Sequence, residues 1–192
     1  MARVLLNYGY MLGVVSQAIL FLLIFYFIED WNEIFRLSAR FSGRFSLTFY
    51  LLSFYFFTTE FKRNSNYPIT KKVMGVFSIV HIIHFIFLTT SIYLNAIPIV
   101  ITRLVGGILA YLMIVIYPFY INKIQLHWVS LVYFYYVGIV MIMTYVSRVQ
   151  GAFVGASPEV FHFVALVLLF LFLLVFGLKL RNRYLKASTN KY

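Results

Sequence analysis

Long apolar segments, separated by short connections that carry most of the charge, are the feature that most constrains this chain. Most of the segments reach the ~20 residues that a helix needs to cross ~30 Å of hydrocarbon. A helix satisfies its own backbone N–H and C=O groups, which lipid cannot do. The sequence therefore predicts an all-α fold, a polytopic membrane helix bundle that forms one transmembrane domain over residues 1–192. The six predicted spans are approximately 10–28, 45–59, 73–93, 97–117, 127–147 and 160–178.

The composition predicts that the lipid bilayer is the main partner of the side chains. Hydrophobic residues make up 63% of the chain and charged residues 11%, whereas about a quarter of a soluble domain is charged. Because the chain has no cysteine, it cannot form disulfides or Fe–S clusters, and no zinc site is expected. The net charge of +11 does not require nucleic acid as a partner, because the charges lie in the connections.

The distribution of basic residues predicts the orientation of the chain. With six spans, eleven of the 16 lysines and arginines lie on the side of the two termini. Basic residues concentrate on the cytoplasmic side of membrane proteins, so both termini are predicted to be cytoplasmic. The five on the other side are Arg36, Arg40, Arg44, Arg103 and Arg148.

The connection from Glu29 to Arg44 is the longest polar stretch between two spans. Its apolar residues, among them Trp31, Ile34 and Phe41, recur at a spacing typical of a helix. A short amphipathic helix on the outer surface and an ordinary loop with interfacial aromatic residues are about equally supported by this pattern.

Histidines in the third span are candidate binding residues, because ionisable side chains inside a membrane are costly and often functional. Ser78, His81 and His84 follow one another every three residues and lie along one face of the helix. Neutral imidazole is a common axial ligand of haem iron. The other interpretation is that both histidines donate or accept hydrogen bonds between helices in a bundle without a cofactor.

The remaining polar residues near the spans support several roles. Arg103, beside Gly106 and Gly107, could hold a haem propionate or an anionic quinone, although extension toward the lipid headgroups is favoured. His127 and His162 lie near the ends of spans, where such residues are more often structural. The sequence contains no acid–base pair, nucleophile–base arrangement or phosphate-binding glycine loop, so it gives no support to direct hydrolytic or phosphoryl-transfer chemistry.

Three stretches resemble the ferric-reductase-like transmembrane domain family, in particular the bacterial haem-binding membrane subunits that partner a periplasmic methionine sulfoxide reductase. The first is RFSGR at 40–44 followed by SLTFYLL at 46–52. The second is KKVMGVF at 71–77, with His84 at the distance where the family has a haem ligand. The third is HWVSLVY at 127–133.

The resemblance implies an electron-transfer subunit of a bacterial inner membrane that binds haem b and works with a separate redox partner protein. His84 would be an iron ligand, with His127 or Met141 opposite and His81 as the substitute for His84. Arg103 or Arg44 would hold the propionates. The family normally has two histidines on its fifth helix, whereas this chain has Met141 fourteen residues after His127.

The depths of these residues limit the chain to at most one haem. At ~1.5 Å per residue, His84 lies ~18 Å from Lys72 on the inner side, whereas His127 lies ~6 Å from Lys123. Two ligands of one iron need nearly the same depth, so Met141 is the better-matched partner of His84. The missing histidine also favours a second hypothesis, in which the chain is a cofactor-free scaffold or an accessory subunit of a larger membrane complex.

Overall fold

The computed structural model describes residues 2–60, 67–98, 101–124, 127–152 and 157–189, with side chains for 8–60, 67–98, 105–124, 128–152 and 157–182. All regular secondary structure in these ranges is helical and forms six helices, which confirms the all-α part of the predicted fold class. The six helices are α1 (Ala2–Phe27), α2 (Trp31–Glu60), α3 (Pro68–Leu94), α4 (Ile101–Tyr120), α5 (His127–Val149) and α6 (Val160–Thr189).

Successive helices are antiparallel, so the connections between them lie at the two ends of the bundle. At one end the Asn95 side chain contacts the Asn32 carbonyl, and Arg40 pairs with Glu159. This end, which carries the α1–α2, α3–α4 and α5–α6 connections, is called the distal end below. At the other end the Tyr67 N–H donates to the Asn122 side chain over 2.9 Å. Because both termini leave from this second end, it is called the terminal end.

The second helix differs most from its prediction. It is one continuous helix of 30 residues, where we predicted a span at 45–59 after a separate amphipathic helix or a loop. Its first half continues without a break because Ser38, Ser42 and Ser46 are buried along one face. The arginines on the opposite face, Arg40 and Arg44, have a carboxylate partner in Glu159. With this carboxylate as their partner, the two arginines can lie on a continuous helix instead of in a solvent-exposed loop.

Helices α1, α3, α5 and α6 extend beyond the predicted apolar segments at one end at least. Helix α4 instead begins at Ile101, since residues 97–98 are not helical, so the predicted start at 97 is wrong. Helix α3 begins at Pro68 rather than at 73, since proline suits the first turn. The Glu60 carboxylate accepts hydrogen bonds from the N–H groups of Ile69 and Thr70 at 3.1 and 2.9 Å. Helix α6 reaches Thr189 rather than 178, because its basic residues are good helix formers.

Four helices are long and apolar enough to cross a membrane by themselves, which supports an integral membrane protein. In α4 the apolar part, Val105–Tyr120, is shorter. In α2 the first half carries Glu33 and three arginines. The four candidate spans are Tyr8–Phe27, Pro68–Leu94, Trp128–Val149 and Val160–Asn182.

Helix α2 lies at the centre of the bundle although it is the least apolar helix. It has its most extensive contact with α3, and it also contacts α1 and α6. Toward α5, the Tyr50 hydroxyl donates to the Phe134 carbonyl over 2.7 Å, and the Phe54 and Phe134 rings stack at 4.8 Å. Its serine side chains are thereby covered by other helices instead of facing lipid, where unpaired polar groups are costly.

The approach of α2 to α5 and α6 depends on Gly138. A Cβ atom at this position would collide with the Tyr50 hydroxyl and lie 3.1 Å from Leu173. Gly107 in α4 has no heavy atom within 4 Å of the corresponding point. Close helix contacts in membranes commonly use such small residues.

We expect Gly138→Ala to destabilise the protein by about 1–3 kcal/mol, because the added methyl overpacks the contact. The matched control Gly107→Ala should be neutral or stabilising by up to about 1 kcal/mol through helix propensity. The thermal unfolding midpoint in detergent measures both effects. Equal midpoints for the two variants would contradict the packing described for Tyr50.

Candidate functional site

The contact between α2 and α3 is lined by small and polar residues of α2. We call the face formed by Ser38, Ala39, Ser42, Gly43 and Ser46 the serine face of α2. Four of its members are buried, and Gly43 is half-buried. Small side chains let two helix backbones approach closely. Ser46 forms a hydrogen bond across the interface, whereas the Ser38 and Ser42 hydroxyls have no hydrogen-bond partner among the described residues. The serine face therefore receives the polar side chains of α3.

His81 of α3 lies on this face with its ring held on two sides. The Ser46 hydroxyl and the His81 Nδ1 atom are hydrogen bonded at 2.5 Å. On the other side the His81 ring stacks on the Tyr111 ring of α4, with centroids 4.4 Å apart. His81 thus joins α2, α3 and α4 at one level of the bundle.

His84 packs one turn closer to the distal end, directly against the backbone of α2. A Cβ atom on Gly43 would lie 3.1 Å from its Cε1 atom, which is tighter than an ordinary contact. The Ala39 backbone lies close to the ring. The Nδ1 atom is buried and has no hydrogen-bond partner among the described residues. Glycine and alanine on α2 are thus the immediate neighbours of His84.

Gln17 of α1 is a buried polar residue that the sequence analysis missed. It is 1% exposed, and its amide atoms have no hydrogen-bond partner among the described residues. Gly13, one turn before it, packs on Val80, and Phe21, one turn after it, stacks on Phe87. Gln17 therefore lies level with His84. The recurrence of glycine and glutamine at positions 9, 13 and 17 is the signal that could have indicated a buried face.

A second polar cluster lies at the distal end, between α2, α5 and α6. Arg40 and Arg44 each pair with one oxygen of the Glu159 carboxylate. Arg148, near the end of α5, lies within electrostatic reach of all three groups. We call Arg40, Arg44, Arg148 and Glu159 the arginine cluster. The His162 Nδ1 atom accepts a hydrogen bond from the Glu159 N–H at 3.0 Å, which fixes the start of α6 beside the cluster.

The predicted ligand residues are only partly described. The helix positions of Arg103 and His127 are described, but their side chains lie outside the described side-chain ranges. Met141 is half-buried and packs against the apolar core. On α5 it lies between Phe134, which bonds Tyr50, and Tyr145, which is near Arg44. Met141 is therefore about level with Ser46 of α2.

The structure does not bring a histidine of α3 and Met141 together as a ligand pair. At the level of Met141, the partner of His81 is the Ser46 hydroxyl of α2. His84 lies closer to the distal end, where Arg148 is its charged neighbour on α5. Both rings pack against α2 in this arrangement.

One apolar cavity of about 270 Å³ lies between α3 and α4. It offers little for orienting a polar substrate, since convergent polar groups are absent from its lining. The described residues also bring together no group of three His, Asp or Glu side chains that could hold a metal ion. The cavity is lined by Ile82, Phe85, Ile108, Tyr111, Leu112 and Ile116, among others.

Comparison with protein-family models, with curated proteins and with solved structures finds no match to this chain. The resemblance to the ferric-reductase-like domain therefore stays a prediction based on the three sequence stretches.

We expect Ser46→Ala to destabilise the protein by about 1–3 kcal/mol, because it leaves the buried His81 Nδ1 without its partner. Thr48→Ala is the matched control on the same helix. The Thr48 side chain is exposed and bonds only the Arg44 carbonyl of its own helix. Its loss should cost no more than about 0.5 kcal/mol. A denaturation midpoint for Ser46→Ala no lower than that of Thr48→Ala would refute a stabilising His81 contact.

Proposed function

We propose that this chain is a cofactor-free accessory subunit of a larger membrane complex. The observation that carries the proposal is the use of both mid-membrane histidines as helix contacts. His81 bonds Ser46, and His84 packs on Gly43 and Ala39. The Ser46 bond uses only the Nδ1 atom of His81, and the Nδ1 atom of His84 has no partner among the described residues. The proposal therefore depends on the second ligand that a haem iron needs at the same depth. Met141, the candidate level with Ser46, packs against the apolar core instead.

The competing proposal is the electron-transfer function that the resemblance implies, with one haem b and a separate redox partner. It is supported by the position of His84 on the third helix and by its unpartnered Nδ1 atom. The two proposals share the six-helix fold and differ in the role of His84. A ligand role predicts a haem spectrum that depends on this residue, whereas a packing role predicts an effect on stability alone.

The visible spectrum of the purified, dithionite-reduced protein decides between them. After expression with added haem, we expect no Soret or α band from the wild-type chain. His84→Ala should lower the thermal midpoint, since it removes a side chain packed between α2 and α3. The control Thr89→Ala, which changes an exposed residue of α3, should leave the midpoint nearly unchanged. A haem b spectrum that disappears in His84→Ala would overturn the cofactor-free proposal.

We further propose that all six helices cross a bacterial inner membrane with the terminal end in the cytoplasm. The excess of lysine and arginine near the termini supports this orientation. The antiparallel course of successive helices supports six crossings, with the serines of α2 buried and the exposed residues of α4 mostly apolar.

Because the chain has no cysteine, single cysteines can test this orientation without background labelling. In intact cells, a membrane-impermeant maleimide should label Glu29→Cys at the distal end. It should label Lys123→Cys at the terminal end only after the cells are permeabilised. Labelling of Lys123→Cys in intact cells would contradict the proposed orientation.

A further inference from the structure

The arginine cluster carries more positive charge than the chain itself can neutralise. Arg40 and Arg44 pair with one carboxylate, Glu159, and Arg148 lies within electrostatic reach of it. Three guanidinium groups therefore share one carboxylate, which leaves an excess of two positive charges. The sequence has only five acidic residues. Glu33 pairs with Arg36 on its own helix, and Glu60 lies at the opposite end, where it bonds Thr70.

The two remaining acids, Glu29 and Asp30, do not compensate for this excess. They precede α2 and are exposed, and ~10 residues of helix, or ~15 Å, separate them from Arg40. The Asp30 side chain accepts a hydrogen bond from the Asn32 N–H at 3.2 Å. The charge excess therefore lies between α2, α5 and α6.

The surroundings of the cluster make an unneutralised charge costly. Arg44 lies over the Phe41 and Phe161 rings at 4.8 and 4.5 Å, and its Nε atom is buried with no hydrogen-bond partner among the described residues. Cationic groups that are partly withdrawn from water require an anion or strong hydrogen-bond acceptors. The cluster thus has both the charge and an unused donor for an anionic ligand.

We propose that the arginine cluster binds a phosphate group, supplied by the headgroup of an anionic phospholipid. Guanidinium groups recognise phosphate through paired, charge-assisted hydrogen bonds. The position suits a headgroup, because Arg148 is next to the last residue of α5 and Glu159 immediately precedes α6. The side chains of Arg40 and Arg44 are 18% and 24% exposed, so a ligand at the bundle surface can reach them.

Glu159 has two opposing effects on this site. By pairing with Arg40 and Arg44 it holds two guanidinium groups side by side, and the His162 ring fixes the Glu159 backbone. Its carboxylate also competes with a phosphate for the same donors. The cluster has an excess of two positive charges, and a phosphodiester carries one negative charge. The cluster therefore stays positive when it binds a phosphodiester, even with Glu159 ionised.

The test is the binding of phosphatidylglycerol to the purified full chain, measured by native mass spectrometry and by the rise of the thermal midpoint. Diacylglycerol, which lacks the phosphate, and inorganic phosphate are measured in parallel. We expect saturable binding of phosphatidylglycerol and none of diacylglycerol. Binding should weaken at least fivefold in Arg44→Gln and in Arg148→Gln. Arg36→Gln is the matched control, since Arg36 has its own carboxylate in Glu33, and it should bind as the wild type does.

A variant that is expected to bind the lipid more tightly distinguishes loss of the site from misfolding, because misfolding would only weaken binding. Glu159→Gln keeps all three arginines and removes the competing carboxylate, so it should bind phosphatidylglycerol more tightly than the wild type. A second outcome is that inorganic phosphate raises the thermal midpoint as much as phosphatidylglycerol does, with the rise lost in Arg148→Gln. That result would support the phosphate site and would identify its ligand as a free anion. Unchanged lipid affinity in folded Arg44→Gln and Arg148→Gln would overturn the proposal.

Discussion

The contact between α2 and α3 holds the polar side chains of this protein away from lipid. Helix α2 carries four buried serines, and each unpaired polar group would be costly in hydrocarbon. Against α3 these small side chains permit a close approach, and Ser46 bonds His81. Helix α2 thereby becomes the centre around which α1, α5 and α6 pack. The more apolar helices can then lie outside it and face lipid.

Hydropathy was sufficient to predict the number of helices and their order, but it failed for α2. An apolar-segment search assigns residues 31–44 to a connection, since Arg36, Arg40 and Arg44 lower the mean hydropathy there. The serines at 38, 42 and 46 follow a four-residue spacing, which places them on one helix face. This spacing could have extended the predicted helix. The Glu159 partner of Arg40 and Arg44 could not have been predicted, because it is more than 110 residues away in the sequence.

The candidate site also depends on contacts between helices that the sequence pattern does not specify. The three-residue spacing of Ser78, His81 and His84 predicts a shared face, and both histidines do contact the serine face of α2. The spacing does not specify whether that face meets a cofactor or another helix. Whether the face meets another helix depends on two residues of α2. Gly43 makes room for His84, and Ser46 supplies the hydroxyl that bonds His81. Charge alone drew attention to Arg44, but its neighbours Arg148 and Glu159 become a cluster only when α2, α5 and α6 are packed.

The central claim is that α2 is one continuous helix whose serine face meets α3 and is shielded from lipid. Spin labels on single cysteines along residues 31–60 test it most directly, by their collision rates with oxygen dissolved in the bilayer. The account predicts one helical period across the whole range, with low rates at Ser38, Ser42 and Ser46 and high rates at the exposed positions Phe41, Phe45 and Thr48. A break in the period near Arg44, or high rates along the serine face, would contradict it.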